Sequence, residues 1–501
     1  MRITQILLTG TLLFFLFACG GRCETNGTPA RLDALFDQLD ENLLFRGVAL
    51  VSDGGRVVYV TARGRANEEW DISNAVDTRY RIASLSKQFA AVVVLQLADE
   101  GRLSLDDPVA AHLSGLPEAW AGKVTVNHLL NQTTGIPDYT LLPDYLEVVS
   151  KRRFTRDEFF RLICGNSLFS TVRFAPGEKW EYSNTNYFLL GVLAENVAGG
   201  SYEDLLEQRI FFPLEMRDSG VYDSLKTVPM LAEGYSLTYT DEVERAAHSE
   251  FSPKSVPSGG LYSTVGDLVK WSAALQDGSL LSPAMQEVFT TATHAVDDRT
   301  DYVCGQWREF RDTPDGNRVA VFSHGGSIMG MSTWLLRVPA EDRCVVLLHN
   351  GGSAREGILE KVALAVLDIL DGGQGELPPL DLIGPLGSTY LHHREFLFDH
   401  YRLLKENHRE IYDFSPEQLS MMGQVLIDRL GDRDTAAALF RLNVEEHPDS
   451  PLAHWDLGGL LVEDGFPDRA MAHLLRAREL SPEPNAELEA VIARARAGAL
   501  P

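Results

Sequence analysis

Cysteine is scarce in this 501-residue chain, with five in all, and none stands in a Cys-x-x-Cys pair or beside a matching pair of histidines, so zinc-ligand spacing is absent. No run of lysine or arginine is long enough to supply a local basic patch either. Acidic residues outnumber basic ones 71 to 45, a formal charge of −26, which sets the electrostatics against nucleic acid or any other polyanion. There is no phosphate-cradling glycine loop and no dinucleotide fingerprint in context. The apolar run from Ile6 to Ala18 is too short to span a bilayer comfortably. What remains is an ordinary globular composition, 45% hydrophobic and 23% charged, which excludes disordered, collagen-like and multi-span membrane chains. At roughly three times a typical single-domain length, the chain should hold one large domain with an appendage, or two to three domains.

The apolar run follows Met1 and Arg2 and reads as the core of a secretory signal over residues 1–19. Leu16-Phe17-Ala18-Cys19 resembles a bacterial lipoprotein processing box, in which Cys19 is lipidated and becomes the mature N-terminus; cleavage near Ala18 without lipid is the alternative. Either way the expected location is a bacterial cell envelope, with membrane anchoring if Cys19 carries lipid. Export implies an oxidising compartment, in which Cys23, Cys164, Cys304 and Cys344 could pair, with connectivity left open.

Residues 20–30 are small and polar, a tether. Leu32 to Leu44 reads as an amphipathic helix, and Gly47 to Val60 as a hairpin turning at Asp53-Gly54-Gly55. Ala83 to Ala98 is a strongly apolar helix closed by Gly101, and Val345 to Leu348 is the most strand-like run after Gly259. Strands at both ends with helices between predict an α+β domain over 30–370 whose sheet is completed by the two ends of the segment. Asp371-Gly372-Gly373-Gln374-Gly375 and Pro378-Pro379 mark a linker over 371–390. Residues 391–500 then read as all-α. Within them Gly431 and Gly465, Ala436 and Ala470, Phe440 and Leu474, Pro448 and Pro482 recur 34 residues apart, a period that looks like tetratricopeptide repeats. Two such units need neighbours, so this tail should pack on residues 390–430, on the main domain or on a partner; a plain helical bundle is the alternative.

The chemistry gathers at Ser84-Leu85-Ser86-Lys87, where a hydroxyl and an amine one helical turn apart can reach each other. Serine is a poor nucleophile until a base takes its proton, and a buried lysine beside a helix N-terminus loses its own proton more easily, because burial and the helix dipole both disfavour the ammonium. On spacing alone, an N-cap serine with a surface lysine is the commoner origin of Ser-x-x-Lys, and Ser86 could be the cap. Asp106-Asp107 precedes Pro108 and reads as a turn, and His392-His393 as surface residues on a helix.

The flanks decide between these readings. Arg81-Ile82-Ala83-Ser84-Leu85-Ser86-Lys87 followed by Gly101-Arg102-Leu103-Ser104-Leu105-Asp106-Asp107-Pro108, then Leu129-Leu130-Asn131-Gln132-Thr133-Thr134-Gly135-Ile136-Pro137-Asp138, Phe174-Ala175-Pro176-Gly177, Tyr182-Ser183-Asn184, Ile210-Phe211-Phe212-Pro213-Leu214, Gly259-Gly260-Leu261-Tyr262 and His324-Gly325-Gly326 stand in one order. That set resembles the class C-like branch of the serine β-lactamase and penicillin-binding-protein superfamily, over about residues 30–370. The resemblance implies an antiparallel sheet flanked by helices with a mostly helical subdomain, and an acyl-enzyme hydrolase without metal or organic cofactor. It makes Ser84 the nucleophile, Lys87 its proton partner, Tyr182 a proton relay, and Asn184 the residue that binds the substrate amide and fixes Lys87. The N–H groups of Ser84 and Ser327 become the oxyanion hole, and Gly325 and Gly326 let the substrate backbone approach. His324 departs from the lysine that others in the superfamily carry; a neutral imidazole holds a carboxylate less firmly, which puts D-amino-acid-containing peptides and small esters ahead of β-lactams. The rival reading is a slow or inactive module that recruits an envelope partner through its repeats.

Overall fold

Side chains alternate across a strand, and along Gly47–Asp53 both faces are apolar: Val48 and Leu50 enter one hydrophobic core, Ala49 and Val51 another. Arg343–His349 does the same with Val346 and Leu348 against Val345 and Leu347. A strand apolar on both faces has to be covered on both, so the sheet is sandwiched between two helical layers. The computed structural model describes residues 27–237, 240, 242–246, 256–352, 356–481, 483 and 485–497. The signal-type segment 1–19 with Cys19, and also Cys23 and Pro482, lie outside the described residues.

Seven antiparallel strands form the main sheet, in the spatial order Asp301–Val303, Gln306–Asp312, Arg318–Ile328, Met331–Val338, Arg343–His349, Gly47–Asp53, Arg56–Arg63. The expected hairpin is the edge pair, closed by Gly54 and Gly55 at φ 55° and 70°, values that favour glycine in a two-residue turn. The two ends of the domain meet where Gly47 pairs with His349 and Val51 with Val345. On the inner face helix Val265–Asp277 packs on the strands Arg343–His349 and Gly47–Asp53, and the helices Ser86–Asp99 and Asn184–Ala198 lie against each other in the same core. Ser86–Asp99 is buried nearly all round, so packing outweighs the modest helix propensity of its valine run. On the outer face helices Thr28–Glu41 and Glu356–Leu370 cover the sheet.

The outer core continues into the C-terminal helices. Leu380, Leu386, Leu397, Tyr401, Leu419, Leu426 and Leu439 belong to the cluster that holds Val345 and Leu347 of the sheet. The Gly/Pro stretch between is pinned: Asp371 is held by Arg311 and Arg343, Leu380 and Ile411 share a backbone hydrogen bond, and helix Ile383–His393 begins inside it. The helix pair Pro416–Leu430 and Arg433–Glu446 is followed by Pro451–Glu463 and Pro467–Leu480. Gly423 leaves room for the Phe440 ring, and Gly458, 35 residues on, for Leu474, so the two helix pairs make equivalent close contacts. This region is all-helical, and its helices as far as Leu439 share the outer core with the sheet.

Among the described residues no helix is long and apolar enough to cross a membrane, and Cys164, Cys304 and Cys344 are free thiols. Burial pushes the Cys304 and Cys344 thiols up to about 12 and about 11, so neither is a ready nucleophile.

Because Leu386 lies in the core shared by sheet and tail, Leu386→Ala should cost about 3 kcal/mol. Urea unfolding followed by tryptophan fluorescence should show the sheet domain and the helical region shifting together; an unchanged midpoint for the sheet would mean the shared core does not couple them.

Candidate active site

Ser84 sits in a single 3-10 turn, Ala83–Leu85, immediately before helix Ser86–Asp99, rather than in the first turn of the helix itself. The preceding Ala83 has φ 45°, the left-handed region that a residue with a Cβ adopts only under constraint. The constraint is visible. Thr333 donates its hydroxyl to the Ile82 carbonyl at 3.1 Å, and Ser86 donates to the Ala83 carbonyl at 2.7 Å while accepting the Leu261 N–H at 3.1 Å. Ser86 is therefore a clamp on the turn that carries Ser84 and not a helix cap.

Lys87 follows one turn on, with no exposed surface. Its Nζ donates to Ser84 Oγ at 3.0 Å, to Asn184 Oδ1 at 2.7 Å and to the Ser258 carbonyl at 2.7 Å. Burial pulls its pKa down to about 7, against the opposing pull of the Asp138 charge. Tyr182 reaches the same oxygen from the other side, its hydroxyl 3.1 Å from Ser84 Oγ, and the Lys87 amine lies 4.8 Å from the centre of its ring. Hydroxyl, amine and phenol thus converge on one atom, from stretches of chain 98 residues apart.

Asn184 is the first residue of helix Asn184–Ala198, yet its side chain does not cap it. The amide bridges Lys87 and Asp138, with Nδ2 2.8 Å from Asp138 Oδ2. Ser84, Asn184 and Ser327 line one cleft of about 270 Å³, together with Ser258, Tyr145 and Met329.

The strand Arg318–Ile328 brings His324, Gly325 and Gly326 to this side of the site. His324 is buried behind Tyr182, with its Nδ1 at the Gly325 carbonyl and its Nε2 3.2 Å from the Tyr302 hydroxyl. That arrangement makes Nδ1 the protonated nitrogen and Nε2 the acceptor of the Tyr302 proton. Burial, and then the nearby Lys87 charge, push its pKa down to about 3, so it is neutral and adds no positive charge beside Tyr182. Gly325 and Gly326 also have a local reason to be glycine. A Cβ on Gly325 would meet the Trp334 ring at 2.8 Å, and one on Gly326 would meet the Ile82 carbonyl at 2.3 Å and the Ala83 Cβ at 3.1 Å. The pair lets the strand close on the turn that carries Ser84.

Ser258 and Tyr302 carry no signal in the sequence. Ser258 contributes a backbone carbonyl, which any residue supplies, and Tyr302 acts by being buried against His324.

Gly326→Ala should displace the turn that carries Ser84. Labelling by a fluorophosphonate is expected to fall at least about tenfold, with thermal stability reduced by about 1–3 kcal/mol; wild-type labelling and stability together would show that the turn does not depend on this contact.

Residues 32–367, more than half of the chain, match the Beta-lactamase family. Penicillin-binding protein 4* of Bacillus subtilis (strain 168) is 30% identical over 330 residues, 64% of this chain and 71% of that protein. Protein flp of Staphylococcus aureus (strain MW2) is 26% identical over 65% of this chain, and the match spans 64% of its length. Among solved structures, D-amino acid amidase from Ochrobactrum anthropi SV3 complexed with D-phenylalanine superposes with a TM-score of 0.57 at 26% identity, covering 68% of this chain and 99% of the amidase. A penicillin-binding protein from Bacillus halodurans superposes with a TM-score of 0.57 at 25% identity, covering 67% and 98%. The sequence match and the shared fold agree: the chain belongs to the Beta-lactamase family, serine hydrolases related to the penicillin-binding proteins.

Proposed function

We propose that the protein is an exported serine hydrolase acting through an acyl-enzyme on D-amino-acid amides and peptides or on small esters. The observation that carries this reading is the meeting of Lys87 Nζ at 3.0 Å and Tyr182 Oη at 3.1 Å on Ser84 Oγ. Ser84 Oγ attacks the acyl carbon as its proton passes to the free amine of Lys87. The tetrahedral oxyanion is met by the N–H groups of Ser84 and Ser327. The C–N or C–O bond then breaks, the leaving amine or alkoxide takes a proton through Tyr182, and water releases the acid from the Ser84 ester by the reverse relay. Asn184 holds Lys87 in place throughout.

The cleft lining favours substrates without a carboxylate beside the scissile bond. Its side chains are hydroxyls, an amide, Tyr139 and Tyr145, and the apolar Ile328 and Met329, while His324 is neutral. The D-amino acid amidase, similar to this chain over 68% of its length, supports an amide ahead of a D-Ala-D-Ala carboxypeptidase substrate. Export through residues 1–19 with lipid on Cys19 would place the domain at the envelope, and the helical pairs at the 34-residue period support a tetratricopeptide-like region, from 391 to 500, that docks an envelope protein.

Fluorophosphonate should label the wild type and not Ser84→Ala, and Lys87→Ala should slow labelling by about 100-fold or more while the circular dichroism stays native. Equal labelling of wild type and Ser84→Ala would remove the nucleophile. A panel of D-amino-acid amides, p-nitrophenyl esters, nitrocefin and D-Ala-D-Ala peptides should give turnover chiefly on the first two; labelling without turnover on any of them would favour the binding-module rival.

The pH profile has a defined sign. Only the uncharged amine accepts the serine proton, so the labelling rate should be low on the acid side, rise through about pH 7 and level off above it. A rate already at its plateau by about pH 5 would show that Lys87 is not the acceptor.

A further inference from the structure

The Asn184 amide beside Lys87 has two possible orientations, and only one presents an oxygen to the amine. Asp138 selects it. Its Oδ2 accepts both the Asn184 backbone N–H at 2.9 Å and the side-chain Nδ2 at 2.8 Å, while Oδ1 accepts the Thr140 N–H at 2.8 Å. With Nδ2 committed to the carboxylate, Oδ1 faces Lys87 Nζ at 2.7 Å. A flipped amide would set oxygen against carboxylate, and N–H against the amine whenever it is an ammonium, both repulsive. The carboxylate is itself fixed, since it is only 8% exposed and belongs to the segment that carries Tyr139 and Thr140 into the wall of the cleft.

We propose that Asp138 is the positioning residue of this site: it locks the Asn184 amide with its oxygen on Lys87 and places one negative charge a single amide away from the reactive amine. This rests on the reading of Lys87 as the proton acceptor. The titratable groups around that amine are Tyr182 and Tyr187, with ring centres 4.8 Å and 5.8 Å away, His324 on the strand Arg318–Ile328, and Asp138. Asp138 is the carboxylate among them. Its charge favours the ammonium and offsets part of the desolvation, so the site carries an amine that is free near neutral pH and still basic enough to take the serine proton.

The test is the rate of fluorophosphonate labelling against pH in the full-length protein, for wild type, Lys87→Ala, Asp138→Asn, Asp138→Ala, Asn184→Ala and the Asp138→Ala/Asn184→Ala pair. Asp138→Asn keeps the shape and removes the charge; its acid limb should move down by about one pH unit. Asp138→Ala frees the amide, and its plateau should fall by about 100-fold. Because Asp138 acts through Asn184, the double variant should be little slower than the slower single one. An acid limb in Asp138→Asn that overlays the wild type, or plateau losses that simply multiply in the double variant, would overturn the proposal. Labelling of Lys87→Ala at the wild-type rate would instead overturn the proton-acceptor reading on which it rests.

Discussion

Burying an amine is expensive unless its hydrogens find oxygens, and the architecture of this hydrolase is arranged around one such amine. Lys87 is enclosed by helices from three parts of the chain and satisfied by Ser84, Asn184 and the Ser258 carbonyl. Each contact serves two ends. Enclosure removes the water that would keep the amine charged, and the three oxygens fix its position beside the Ser84 hydroxyl. If the short helix Val256–Gly259, the Asn184 helix or the Ser84 turn moved outward, the amine would be solvated and become an ordinary surface lysine.

The left-handed Ala83 belongs to the same arrangement. It turns Ser84 toward Lys87 and Tyr182, and the strain is met by hydrogen bonds from Thr333 and Ser86 and by a strand stripped of side chains at Gly325 and Gly326. The sheet is therefore part of the site. Its apolar central strands, covered on one face by the core that holds the Lys87 and Asn184 helices and on the other by Thr28–Glu41, Glu356–Leu370 and the C-terminal helices, give the rigid backing that a constrained turn needs. The tail shares the outer core, so its helices bear on the stability of the sheet as well as on any surface they offer a partner.

Much of this was legible in advance where chemistry depends on side-chain identity and short spacing. Ser84 and Lys87 three residues apart, Tyr182 and Asn184 two apart, the hairpin at Gly54-Gly55 and the 34-residue period of the tail are all local patterns, and local geometry on a helix or turn follows from them. The helix over Ser86–Asp99 starts three residues later than the apolar pattern suggests, because the pattern records burial and says nothing of the turn that Ala83 adopts.

The sequence by itself determined the two-faced apolar strands, the order of the motifs, the acid excess that sets the electrostatics against polyanionic partners, and the pairing of a hydroxyl with an amine. Tertiary structure decided the rest. That His324 is neutral, that Asn184 turns its oxygen and not its nitrogen to Lys87, that a Ser258 carbonyl completes the cradle, and that the two glycines accommodate the nucleophile turn all depend on groups brought together from distant parts of the chain. The physical reason is that protonation state and amide orientation are set by the burial and partners of a group, and those exist only once the chain has closed around it.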